Sequence, residues 1–165
     1  MARHSINIEQ VSEANKAWFA GFLDGEGSVD LYPSGRRSRK FPQFRAVAAR
    51  LHIANTNHEV IRRCQEIWQC GNVYEIKPIG AKLRTWLWTI DGNAKVYHLL
   101  NSIIPFLVVK KYQAMLVRDF CERKSLVRFH PQHKPQWDWE EDYFWVDVYK
   151  RIKQYGKEPI ASLAT

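Results

Sequence analysis

The sequence contains no run of about 18 or more apolar residues, so a membrane-spanning helix is not expected. Its start, Met1-Ala2-Arg3-His4, leads into polar sequence without the apolar stretch of a secretory leader. The expected location is therefore inside a cell, in the cytoplasm or in an organelle such as a chloroplast or mitochondrion. Cysteine is scarce: Cys64, Cys70 and Cys121 form no even framework and no CxxC pair. That excludes a disulfide-stapled scaffold and leaves reduced, partly buried thiols. Cys121, His130 and His133 lack both the spacing and the fourth ligand of a structural zinc site. Internal repeats, low-complexity segments and linkers are absent, so residues 1–165 read as one domain with a helical tail over 136–165. Acid is also in deficit. Against 17 acidic residues stand 25 lysines and arginines, a net charge of +8. Polyanions are the natural partners of such a surface, with binding that weakens steeply in salt.

What is present is an alternation of helical and extended patterns. Ser12 is a candidate N-cap for a helix from Val11 to Phe22, ending where Gly25 and Gly27 accumulate. Ser28 to Tyr32 reads as a strand, 33–40 as a basic hairpin loop, and Phe41 to Ala54 as a second strand. Asn55-Thr56-Asn57 caps a helix from His58 to Trp68. A second hairpin runs over 72–78 and 83–90, turning at Ile79-Gly80-Ala81. Further helices are expected from Asp91-Gly92-Asn93 to Ile104, from Pro105 to Glu122, and from Trp139 to Tyr155. Two hairpins set between helices predict an α+β fold: a helix-hairpin-helix-hairpin-helix core with one four-stranded antiparallel sheet and helices on a single face. The other face is left to solvent or to a ligand.

The stretch from Trp18 to Val29 is unusual for a plain helix. A glycine in a helix interior costs about 1 kcal/mol relative to alanine, so Gly21 and Gly25 need a compensating reason. Ala17, Gly21 and Gly25 lie four apart and form a smooth stripe along which a second backbone could pack closely. In a symmetric pair this stripe, with Phe22 beside it, would face its own copy, and the two copies of Glu26 would lie side by side just beyond. The plain alternative is a glycine-rich helix end followed by surface acids.

Phe19 to Gly27, read as Phe-Ala-Gly-Phe-Leu-Asp-Gly-Glu-Gly, resembles the nine-residue LAGLIDADG signature of a family of homing endonucleases. Ile104-Pro105-Phe106-Leu107-Val108-Val109-Lys110-Lys111-Tyr112-Gln113-Ala114 resembles that family's second landmark, a proline-led segment carrying a lysine and a Gln-Ala pair. The order of elements also matches the family. The resemblance implies a homodimeric, site-specific DNA endonuclease that cuts a long pseudo-palindromic duplex by metal-dependent hydrolysis across the minor groove, leaving short 3′ overhangs. It implies Glu26 and the Gly25 carbonyl as ligands of Mg²⁺, with Mn²⁺ or Ca²⁺ able to occupy the site. It further implies Lys110 and Asn55 as catalytic partners of Glu26, with Asp24 assigned to bracing the helix end. The family's second basic residue has no counterpart: the aligned position is Glu59, with Arg62 and Arg63 one turn on. Rival readings on the same scaffold are an RNA-binding intron maturase and a DNA-binding protein without cleavage.

The face of the sheet turned from the helices would lie along double-stranded DNA as β-ribbon readers do. Strand alternation puts Asp30 and Tyr32, then Arg50 and His52, on that face, and Ser34, Arg36, Arg37, Arg39 and Lys40 extend it as a basic loop. On the second hairpin Asn72, Tyr74, Lys77, Lys82, Arg84 and Thr85 are the candidate readers, while Trp86 and Trp88 share a face expected to be core. Val73 and Ile76 differ in parity, so one of them must leave the core.

Overall fold

Apolar residues at alternate positions of the strands, set against helices with one apolar stripe each, dictate a two-layer arrangement. The computed structural model describes residues 10–37, 45–77, 83–128 and 144–151; of residues 33–37, 45, 46 and 126–128 the backbone alone is described. Helix α1 (Glu13–Glu26) is capped by Ser12, whose side chain accepts from the Asn15 N–H. It leads into hairpin β1 (Gly27–Arg37) and β2 (Arg45–Asn55), then α2 (His58–Trp68). The second hairpin, β3 (Asn72–Ile76) and β4 (Thr85–Asp91), is followed by α3 (Asn93–Ile103), a 3₁₀ turn (Ile104–Phe106) and α4 (Lys111–Arg128). Residues 144–151 form a short helix, α5. All strand pairings are antiparallel, in the order β1-β2-β4-β3.

The core lies between this sheet and the helices. Val29, Leu31, Ala49, Leu51, Ile53, Trp88 and Ile90 alternate inward and are buried. Phe19 of α1 packs edge-on against Trp68 and Trp88, with ring centroids 5.2 and 5.5 Å apart, locking α1 to α2 and to the sheet. The Trp88 indole N–H is satisfied by the Cys70 carbonyl at 3.0 Å. The three cysteines are free and buried, as expected; burial pushes the Cys70 thiol up to about 11.

Helix α1 ends where the glycines accumulate, as expected, with Glu26 its last residue and Gly27 its C-cap. Two local expectations need correction. Residues 33–37 continue β1 instead of opening a loop, with a register shift between Pro33 and Arg37, so Ser34, Arg36 and Arg37 lie on a strand. Pro105 does not start the long helix: the chain makes only the 3₁₀ turn there, and α4 begins at Lys111. Proline fixes φ for a first turn but says nothing about the next, and here Asp24 claims the following amides. No helix among the described residues is long and apolar enough to cross a membrane.

Gly27 joins α1 to the sheet at close quarters. A Cβ there would lie 2.4 Å from the Leu23 side chain and 3.0 Å from both Ile53 Cγ1 and the Leu23 carbonyl. Gly27→Ala should therefore cost about 2 kcal/mol, because the backbone carbonyl cannot swing away as a side-chain end can. Chemical denaturation checks this; an unchanged midpoint would refute the packing.

Candidate functional site

Helix α1 delivers two acids to its C-terminal end, where the helix dipole is negative and no basic residue occupies the last turn. That arrangement is electrostatically unfavourable unless positive charge or N–H donors arrive from elsewhere. For Asp24 they do. Its carboxylate accepts from the backbone N–H groups of Val108 at 2.7 Å, Val109 at 3.1 Å and Lys110 at 2.9 Å. Asp24 thus binds the end of α1 to the entrance of α4, the bracing role expected of it, and its oxygens are committed there.

Lys110 arrives by the same connection. Its ammonium Nζ donates to the Asp24 carbonyl. Partial burial lowers its pKa from the ordinary lysine value, while the nearby negative charges of Asp24 and Glu26 act in the opposite direction. Glu26, the last residue of α1, is exposed, as is Gly25 before it. Asn55 ends β2 near the same junction, since Gly27 pairs with Ile53. Its side-chain oxygen accepts from the Asn57 N–H at 2.8 Å and so also shapes the turn into α2. Of the two arginines beyond Glu59, Arg62 pairs with Glu66 at 3.3 Å, and Arg63 stacks over the Trp18 ring of α1 at 4.4 Å.

Beside Gly25, the stripe of Ala17 and Gly21 is exposed and Phe22 is half-buried. A Cβ built on Gly21 or Gly25 meets nothing within 4 Å among the described residues, so packing among them requires neither glycine.

The open face of the sheet is ordered in cross-strand rows. Asp30, Arg50 and Asp91 form one; Ser28, His52, Thr89 and Asn72 form the next. Ala54, Leu87 and Tyr74 follow, then Thr85 with Ile76. The Arg50 guanidinium lies over the Tyr32 ring at 4.6 Å, and the Tyr32 hydroxyl donates to Asp91 at 3.1 Å. Desolvation and the Asp91 charge raise the Tyr32 pKa, so the phenol stays protonated as a donor.

Tyr32, Arg50, His52, Asn72, Tyr74 and Thr85 thus occupy the face expected of them. Asp30 does not serve as an exposed reader. It is 8% exposed, and its carboxylate accepts from Ser28 Oγ at 2.8 Å and from the Tyr149 hydroxyl at 2.5 Å. Arg84 precedes β4 and pairs at 3.5 Å with Glu75, which alternates with Val73 toward the helices. Lys77 lies past the end of β3 and continues that same alternation instead of the one through Asn72 and Tyr74. Ile76, not Val73, is the apolar residue turned out, at 45% exposure. Arg39, Lys40 and Lys82 lie outside the described residues. Thr89 was legible in the alternation of β4, two places on from Leu87 and inside the expected strand; Asp91 lies one place past the expected end at Ile90 and was missed for that reason. Tyr149 carried no sequence signal at all.

This order of helices and hairpins is the LAGLIDADG homing endonuclease fold. No protein-family model matches the chain. It is similar to the DNA endonuclease I-CvuI of Chlorella vulgaris, with 23% identity over 107 residues, 65% of this chain. The match spans 63% of that relative, less than two thirds of its length. The crystal structure of I-CvuI with an I-CreI target and magnesium superposes with a TM-score of 0.67 at 21% identity, covering 89% of this chain and 86% of that one. An archaeal intron-encoded homing endonuclease complexed with DNA gives 0.55 at 18% identity, covering 84% and 98%. I-SmaMI bound to uncleaved DNA with calcium gives 0.60 at 17%, covering 91% of this chain and 48% of that one.

Proposed function

We propose that the chain is a site-specific DNA endonuclease that acts as a homodimer on a long, roughly palindromic duplex, hydrolysing one phosphodiester per strand across the minor groove and leaving short 3′ overhangs. The observation that carries this reading is Glu26, exposed at the end of an open small-residue stripe and within the electrostatic reach of Lys110. The relatives with this fold that were solved with DNA support the same reading.

The donors suit a hard divalent cation such as Mg²⁺, because Glu26 and the Gly25 carbonyl offer oxygen alone. One chain supplies only half a site: among the described residues no group of three or more His, Cys, Asp or Glu could hold a metal, and Asp24 is already committed. Apposition of two stripes would bring the second Glu26. A bound cation would supply Lewis-acid charge at the scissile phosphate. The remaining work falls to this chain. Asn55 orders water at the end of β2, and Lys110 offsets the charge that builds as water attacks phosphorus and the bond to O3′ breaks. Tyr32, Arg50, His52 and the polar row of β4 face the major groove.

The test is to offer the protein a randomised duplex library with Mg²⁺ and sequence the cut ends. Recovery of one long, two-fold-related site with staggered ends is expected. Tight binding to a site that is never cut in Mg²⁺, Mn²⁺ or any other divalent cation would refute the nuclease reading. Dimerisation has a separate check in Gly21→Phe. With nothing within 4 Å of a Cβ at Gly21 among the described residues, this change should leave the fold intact yet convert a dimeric mass to a monomeric one in sedimentation. A dimer that survives the ring refutes the stripe as its interface.

A further inference from the structure

Asp30 is a buried acid on a face otherwise open to a ligand, and four side chains converge on it. Tyr149 of α5 donates to Oδ1 at 2.5 Å, and Ser28 Oγ lies 2.8 Å from the same oxygen. His52 Nδ1 lies 3.1 Å and the Arg50 terminal nitrogen 3.7 Å from Oδ2. Gln113 of α4 steadies the tyrosine, its amide lying 3.2 Å from the phenol and 2.7 Å from the Val29 carbonyl. The phenol also lies 3.0 Å from that carbonyl, but its single proton goes to the nearer and charged acceptor. β1 is an edge strand, and the Tyr149 hydroxyl meets both its Val29 carbonyl and Asp30, so α5 reaches Asp30 at the edge of the sheet.

We infer that Asp30 is a positioning residue for base recognition and that Tyr149 sets it, so that helix α5 governs what Arg50 reads; this rests on the DNA-reading role proposed above. One carboxylate oxygen is anchored from the edge, which fixes the other beneath Arg50 and His52. The Arg50 pair at 3.7 Å is too long to saturate the guanidinium, and the side chain keeps 37% exposure. Its Nε is buried, and its plane rests on Tyr32. Only the terminal nitrogens are thus presented, a planar fork suited to the paired acceptors O6 and N7 of guanine in the major groove.

The experiment compares base preferences at every position of the selected site. Arg50→Ala marks the positions that Arg50 reads, where the unaltered protein should favour guanine by about tenfold. Tyr149→Phe removes only the hydroxyl. It should lower guanine preference about three- to fivefold at those positions alone, leaving the other positions and the salt dependence unchanged, and Asp30→Asn should do the same or more. Unchanged preference in both variants, or uniform relaxation along the whole site, overturns the inference. A chain that selects no site fails at the unaltered protein, which is a failure of the proposed function. The network is then judged without DNA, by ¹⁵N relaxation of the Arg50 Nε–H. Tyr149→Phe should raise its mobility, and equal mobility overturns the positioning role.

Discussion

Glu26→Gln should lower single-turnover cleavage of the selected site by about a thousandfold or more while leaving binding in Ca²⁺ within about threefold. Glutamine preserves the length and shape of the side chain and removes one negative charge per chain. In a two-fold assembly the change strikes both strands at once, because each copy supplies its acid to the same central region. Binding is spared because Glu26 stands at the end of α1, whereas the residues proposed to face bases lie on β1, β2, β3 and β4. Loss of an acid among phosphates should even favour association slightly. Mixed dimers sharpen the expectation. One unaltered and one substituted copy share a single carboxylate, so they should cut at a strongly reduced rate on both strands instead of nicking one at full speed. Gel-resolved cleavage beside binding titrations checks both halves. Cleavage within tenfold of the unaltered protein would show that the acid at the end of α1 is not the metal-holding group.

Much of this arrangement was legible because it is local. Helix α2 was bounded correctly at His58 and Trp68, since Asn57 caps it and its apolar residues repeat at helical spacing. The signature placed Glu26 at the end of α1, and strand alternation put Arg50 and His52 on the open face. What could not be read joins positions far apart in sequence. Asp24 reaches amides 84 to 86 residues away, and those contacts hold the bends at 108–110 that part the 3₁₀ turn from α4. Asp30 looked like an exposed reader because alternation fixes the face of a residue, not what covers it. Its cover is Tyr149, 119 positions downstream, on a helix whose own pattern does not name the strand it docks against. Arg84 was a candidate reader of the second hairpin, yet it pairs with Glu75, which alternates with Val73 toward the helices.

Asp24→Ala should destabilise the chain by about 3 kcal/mol, a fall of roughly 6–12 °C in melting temperature for a domain of this size. Three backbone N–H groups lose a charged acceptor, and hydrogen bonds to charged groups are each worth about 1.5–3 kcal/mol. The sum is not reached, because two of the three donors, Val108 and Val109, are exposed and can turn to water. The Lys110 N–H sits in a part-buried setting and carries most of the cost, whereas the Lys110 ammonium keeps its acceptor, the main-chain carbonyl of residue 24. Asp24→Asn should be intermediate, at about 1.5 kcal/mol, since an amide keeps one acceptor but brings donors against donors. Activity should fall out of proportion to stability. When the entrance of α4 loosens, Lys110 leaves its place beside Glu26, so cleavage well below the melting point should drop about a hundredfold with DNA affinity nearly intact. Calorimetry and single-turnover cleavage on the same preparation separate the two effects. A variant that melts normally would show that the three hydrogen bonds do not hold the junction; one that melts early yet cuts normally would show that Lys110 needs no positioning from Asp24.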